Sequence, residues 1–263
     1  MKTKDARSLA ERFAQLHRGS NPLVLVNAWD AWSANVCEAA GHQAVATSSF
    51  SIAESLGFKD GQNVPLALLL AAVETISRSV SVPITVDFEA GFGDTPQQIG
   101  DAVGRVIEAG AIGINIEDGL SRGERVLVNA EQHCEKIAQA LAAANQRGLP
   151  LFINARFDGV LLEKKQTDTL INEAIRRARL YQTAGASGLF VPGLTELPLI
   201  QRLARSIDLP LNIMMMPGGP SVAELASAGV SRVSLGPWPF EYVRRVFRRT
   251  VTEFADQSSA FFA

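Results

Sequence analysis

One phrase recurs along this chain and constrains its fold more than any other feature. A helix-length segment ends in Ala-Gly and runs directly into a short β-branched stretch. It occurs at Ala40-Gly41 before QAVATSS, Ala109-Gly110 before IGINIE, Ala184-Gly185 before SGLFVP and Ala228-Gly229 before SRVSLG. Glycine in that place suits a helix that ends in the left-handed conformation, which a Cβ would oppose. Four more apolar runs are introduced by proline: Pro22 before LVLVNA, Pro83 before ITVDFE, Pro150 before LFINAR and Pro210 before LNIMMM. Proline is tolerated at the start of a strand, where its missing N–H does least harm. The two phrases alternate from Pro22 to Gly236, so eight apolar runs are each followed by a helix-length segment. Runs this rich in Val, Ile, Leu and Phe are those of parallel strands buried on both faces. Eight right-handed βα units in 263 residues predict a (β/α)8 barrel. A doubly wound open sheet is the alternative, but the first turn here, NAWDAW, lacks the glycine-rich phosphate loop of that fold.

The whole chain, 1–263, reads as one domain, with the barrel proper at about 22–255. Residues 3–18 predict a helix, with Leu9, Phe13 and Leu16 on the side that would cover the bottom of the barrel. Residues 237–254 predict a last helix whose Val243, Val246, Phe247, Thr250, Val251 and Phe254 form an apolar stripe. That stripe and the terminal Phe261-Phe262 point to a subunit contact, hence to a homo-oligomer, dimer or tetramer. The formal net charge of -2 leaves no basic excess for nucleic acid or an anionic membrane. Arg244, Arg245, Arg248 and Arg249 fall at helical spacing, as on a solvated or inter-subunit face. Cys37 and Cys134 lie in no metal-binding or redox pattern, and no stretch reads as a signal peptide or membrane span. A cytoplasmic protein is expected.

Barrel enzymes build their sites from the loops that follow the strands. Polar residues at those places are Asn27 and Asp30; Thr47, Ser48 and Ser49, then Asp60 on a long loop; Asp87 and Glu89; Asn115, Glu117 and Asp118; and Asn154, Arg156 and Asp158. Strands six to eight offer only Pro192, Met216 and Ser234. Residues two apart on a strand share a face, so Asp87 with Glu89, and Asn115 with Glu117, are expected to project together into one rim. Carboxylates meeting there repel unless neutralised. A hard divalent cation with oxygen ligands does this, Mg2+ best and Mn2+ next; pairing with Arg156 and with helix N-termini is the alternative. Arg156 offers a planar fork for a carboxylate or phosphate, unless it is consumed by Glu117 or Asp158. The histidines His17, His42 and His133 all lie away from strand ends.

The segments LVNAWDA, ATSSFSIAESLGFKDG, TVDFEAGFGD, INIEDG, INARFD, GLFVPGLTE and VSLG together resemble the isocitrate lyase / phosphoenolpyruvate mutase superfamily over nearly the whole chain. The resemblance implies that Asp87 lies nearest Mg2+, while Asp60, Glu89 and Glu117 hold its waters. Glu89 stands where many members have Asp. Ser48, Ser49 and Phe50 match the turn that binds the substrate carboxylate, and Arg156 matches the arginine at the substrate's anionic end. Asn154 joins the substrate set, and Asp60, Glu117 and Arg156 the catalytic one. The family's tetramers often swap the last helix. The lyases' Lys-Lys-Cys-Gly-His loop motif is replaced here by EDGLSRGERVLVN, without Cys, Lys or His. The mutases' loop Lys and Asn have no clear counterpart, and the histidine after strand six gives way to a VPG turn.

These readings lead to a Mg2+-dependent lyase that cleaves a C–C bond of a small 2-oxo or 2-hydroxy di- or tricarboxylate, like oxaloacetate decarboxylase or methylisocitrate lyase. Gly119 to Gly123 would hinge a lid. The rivals are P–C bond chemistry, as in phosphonopyruvate hydrolase or phosphoenolpyruvate mutase, and a protein that binds 2-oxo acids without turnover.

Overall fold

The computed structural model describes residues 3–120 and 123–255. Nine short strands are all parallel: β1 (Leu23–Leu25), β2 (Asn27–Ala28), β3 (Val45–Thr47), β4 (Ile84–Asp87), β5 (Gly113–Glu117), β6 (Phe152–Arg156), β7 (Gly188–Phe190), β8 (Leu211–Met214) and β9 (Arg232–Ser234). Their order is β1-β9-β8-β7-β6-β5-β4-β3-β2. β1 and β2 are one stretch of chain interrupted at Val26; the first half pairs with β9 and the second with β3. The sheet therefore rolls into the eight-stranded barrel, and the open doubly wound alternative is excluded. Asn27 stitches the seam. Its amide donates to Thr47 O at 2.7 Å and its Oδ1 accepts from the N–H of Leu235 and Gly236.

Helices α1 (Thr3–Leu16), α2 (Ala31–Ala39), α3 (Ser49–Ser55), α4 (Leu66–Ser79), α5 (Pro96–Glu108), α6 (Ala130–Gln146), α7 (Gly159–Glu163), α8 (Asp168–Ala184), α9 (Leu197–Ser206), α10 (Val222–Ser227) and α11 (Trp238–Ala255) complete the order. All four Ala-Gly phrases end helices as expected, with φ of 89° at Gly41, 109° at Gly110 and Gly185, and 91° at Gly229. Apart from α1, the longer helices pack around the outside, and the core lies between them and the barrel wall. Ile114, Ile116, Ile153 and Ala155 are buried in it. Their strand neighbours Asn115, Glu117, Asn154 and Arg156 are buried too, facing the barrel axis.

α1 covers the amino ends of the strands. Phe13 is fully buried with its ring 5.5 Å from that of Phe152, and His17 stacks on Phe152 at 4.0 Å. α11 is the opposite case: Val243, Phe247 and Val251 on its predicted stripe are exposed, Phe247 by 69%. The Phe261-Phe262 reading lies outside the described residues, as does the part of the expected lid at residues 121 and 122. None of the described helices is long and apolar enough to cross a membrane.

Candidate active site

The carboxyl ends of β3 to β6 converge on one acidic rim. Asp87, the last residue of β4, accepts at Oδ2 from Ser49 Oγ at 2.8 Å and from the Ser49 N–H at 3.3 Å. Ser49 Oγ also lies 3.2 Å from Asp60 Oδ1, so one hydroxyl links the long β3–α4 loop to β4. On β5, Glu117 is 1% exposed and meets Arg156 Nη1 at 2.8 Å. Arg156 spends its other donors on Asp158, Nε at 2.6 Å and Nη2 at 3.0 Å, and stands 3.7 Å from Asp87. The rim thus gathers Asp60, Asp87, Glu89, Glu117 and Asp158 around Arg156 and a second arginine, Arg125.

Glu89 reaches this group by a different route from the one its spacing predicts. β4 stops at Asp87, and Glu89 sits beyond it with φ of 45°, so strand alternation does not place it. Gln62 and Phe92 are also left-handed, at 60° and 56°. The three are tied together: the Gln62 N–H donates to Glu89 Oε2, and Gln62 Oε1 accepts from the Phe92 N–H at 3.0 Å. Non-glycine residues in this region store strain, and such strain clusters at functional sites. Burial, helped by the charges of Asp60 and Asp87, pushes Glu89 up to about 7. Burial pushes Glu117 above the usual carboxylate range, with Asp158 and Asp87 adding to the rise and Arg156 opposing it.

Several expected site residues serve the scaffold. Ser48 caps α3, accepting from the Ser51 N–H, and Asp30 caps α2 through a capping box with Ser33. Thr47 Oγ1 accepts from the Asp87 N–H at 3.0 Å, so it positions the acid without facing the mouth. Phe50 is half-buried, its ring 6.5 Å from Phe240 at the start of α11. Asn154 lies one layer below Arg156, and its amide donates to Asn115 and Asn212. Asp118 Oδ2 meets Tyr181 and Arg177, while its Oδ1 accepts from the Asp158 N–H at 3.0 Å, and burial pushes it up to about 6.

Three contributors escaped the sequence reading. Arg125, after β5, reaches Asp60 at 2.9 Å and both Glu117 and Asp158 at 3.6 Å. Gln62 holds Glu89. Arg232, in β9, is 1% exposed inside the barrel and donates to Asn115 at 3.2 Å. Gly119 shows why glycine occupies its place: a Cβ there would stand 2.2 Å from that of Asp158. A separate cavity of about 650 Å³ lies between Met215, Met216 and the Trp238, Tyr242 and Arg245 side of α11. Its lining contains none of the rim carboxylates.

The rim suits a divalent cation in kind. Asp87 Oδ1 and Glu117 Oε1 are buried and accept no hydrogen bond. They are hard oxygen donors in a group where carboxylates outnumber guanidinium groups, and Mg2+ favours such donors. Among the described residues, no three acidic, cysteine or histidine side chains form a ready-made coordination cage.

A closed parallel barrel with an acidic, arginine-crossed rim at the strands' carboxyl ends defines the class: a barrel with its site where barrel enzymes place theirs. The chain belongs to the phosphoenolpyruvate phosphomutase family, whose model matches residues 13–255, within the isocitrate lyase / phosphoenolpyruvate mutase superfamily. It is 36% identical over 234 residues to an uncharacterized protein of Mycobacterium tuberculosis, covering 87% of this chain and 83% of that one. It is 32% identical over 199 residues to the 2-methylisocitrate lyase of Escherichia coli K12, covering 73% and 64%. The crystal structure of a presumed phosphonomutase of Burkholderia cenocepacia J2315 superposes with a TM-score of 0.90 at 38% identity, covering 94% of this chain and 99% of that one.

Proposed function

We propose that this chain is a divalent-cation-dependent carbon–carbon lyase acting on a small 2-oxo or 2-hydroxy di- or tricarboxylate. The observation that carries the reading is the pair of buried oxygens, Asp87 Oδ1 and Glu117 Oε1, that accept no hydrogen bond and meet only long arginine contacts of 3.7 and 3.6 Å. The likeness to 2-methylisocitrate lyase supports the reaction class.

Asp87 would hold the cation, Mg2+ or Mn2+, with Asp60, Glu89 and Glu117 on its waters; bound there, it supplies Lewis acidity to a carboxylate and the carbonyl beside it. Ser49 fixes the Asp87 carboxylate through two donors and so orients its free oxygen. Arg156, pinned by Glu117 and Asp158, sets a fixed positive charge beside the place where an enolate oxygen develops, which costs no reorganisation during the reaction. The described rim presents no cysteine or histidine: His17 and His133 are buried elsewhere, and Cys37 and Cys134 lie on α2 and α6. The proton that quenches the enolate carbon would come from water or from solvent held by the arginines. Decarboxylation of an oxaloacetate-like acid needs nothing more.

The test is a screen of oxaloacetate, methylisocitrate and phosphonopyruvate with purified protein, with Mg2+ and with chelator. Mg2+-dependent pyruvate formation is expected. Phosphate release from phosphonopyruvate with oxaloacetate left intact would move the assignment to P–C chemistry, the reading that the family model's name favours. Binding without turnover of any of the three would reduce the protein to a 2-oxo acid binder.

A further inference from the structure

The two arginines of the rim are held in unlike ways. Arg156 rises from β6, its side chain 11% exposed, with a two-bond fork on Asp158 and a third donor on Glu117. Nothing in that arrangement is free to turn. Arg125 comes from the irregular segment that follows β5, and its side chain is 41% exposed. It makes one close contact, 2.9 Å to Asp60, and two long ones, 3.6 Å to Glu117 Oε1 and to Asp158 Oδ2. Glu117 Oε1 is also one of the two buried carboxylate oxygens of the rim that accept no hydrogen bond. Arg125 therefore faces an acceptor that the cation site would also use. A guanidinium and a divalent cation cannot both neutralise that oxygen at short range, because the like charges repel.

We propose that Arg125 is an exchangeable counter-cation: it holds Asp60 and Glu117 while the rim carries no divalent cation, and on loading it releases them and turns its guanidinium to the far carboxylate of the substrate. This rests on the divalent-cation lyase reading above. The two arginines then have separate tasks. Arg156 supplies fixed charge beside the reacting carbon. Arg125, tethered at the edge and partly in solvent, selects substrates with a second carboxylate. A planar fork matches that group in two bonds, and a flexible ammonium does not.

Mn2+ binding, followed by the loss of the free ion's paramagnetic resonance signal, tests the exchange in the wild type, Arg125→Ala and Arg125→Lys. Removing a partly exposed competitor predicts Mn2+ binding about three- to tenfold tighter in Arg125→Ala, with Arg125→Lys close to the wild type. On the Mn2+-loaded proteins, binding of pyruvate and of 2-oxoglutarate is then compared. The wild type is expected to favour the dicarboxylate by about tenfold or more and Arg125→Ala to lose that preference, with oxalate binding unchanged. Equal or weaker Mn2+ binding by Arg125→Ala overturns the exchange and leaves the cation reading intact. A wild type with no preference between the two acids, or a preference that survives in Arg125→Ala, overturns the carboxylate role. Failure of every variant and the wild type to bind Mn2+ sinks this proposal and the lyase reading together.

Discussion

Arg156 meets Glu117 at 2.8 Å and Asp158 at 2.6 Å inside the barrel wall, where all three are buried. Buried charges are tolerated only while paired, so removing one partner leaves the others exposed to the desolvation penalty. Arg156→Met is expected to cost about 3–5 kcal/mol of unfolding free energy, read from urea titration, and to abolish oxalate binding. Asp118 pairs with Tyr181 and Arg177 through Oδ2 and accepts the Asp158 N–H through Oδ1, so these bonds tie it to the rim through main chain alone. Asp118→Asn should cost about 2–3 kcal/mol of stability while leaving Mn2+ affinity within about twofold, and a large loss of affinity would place Asp118 in the site after all. At this scale the sequence is legible where one rule decides. Period-two alternation within β5 brings Asn115 and Glu117 to the barrel axis. It fails for Glu89 because the strand has already ended and a left-handed turn re-aims the side chain. Arg125 was hidden because a loop's path is set by packing, not by spacing. Arg232 was hidden because it opens a strand of only three residues, too short for alternation to fix its face.

The helices at the two ends carry the element-scale consequences. α1 brings His17 against Phe152 and near Arg232, and burial with that neighbouring positive charge lowers its pKa to about 3 from an ordinary 6.5. Above pH 6.5 both folded and unfolded chains hold the ring neutral, and no penalty applies. As pH falls from 6.5 towards 3, the unfolded chain takes up a proton that the folded chain refuses, so stability drops. The full difference is roughly 5 kcal/mol. His17→Gln should flatten that part of the stability–pH curve relative to the wild type; parallel curves would show that the ring protonates without penalty. α11 shows the limit of what a helical stripe can tell. Periodicity correctly predicts the helix and its apolar face, but cannot say whether that face meets the barrel or a second chain. Val243, Phe247 and Val251 are exposed in the single chain, and we propose that the homo-oligomer expected from the sequence covers them. Phe247→Asp with Val251→Asp is expected to shift the light-scattering mass from dimer or tetramer to monomer, whereas a wild type that is already monomeric would remove the proposal.

For the molecule as a whole, the barrel was readable because its punctuation is repeated: four left-handed glycines and four prolines mark the boundaries of eight units, each supporting the others. The seam at Val26 was not readable, since it depends on Asn27 bridging strands that are distant in sequence. Under the proposed function, the barrel would hold acids from adjacent strands close enough for a cation and an anionic substrate to bind as a unit. Calorimetric titration of oxalate, which resembles the enolate of pyruvate, tests that most directly in wild-type protein with Mg2+, in the same protein with chelator, and in Asp87→Asn with Mg2+. One oxalate per chain is predicted in the first case, with affinity at least about a hundredfold weaker in the other two. Oxalate binding of equal strength in all three would contradict the account.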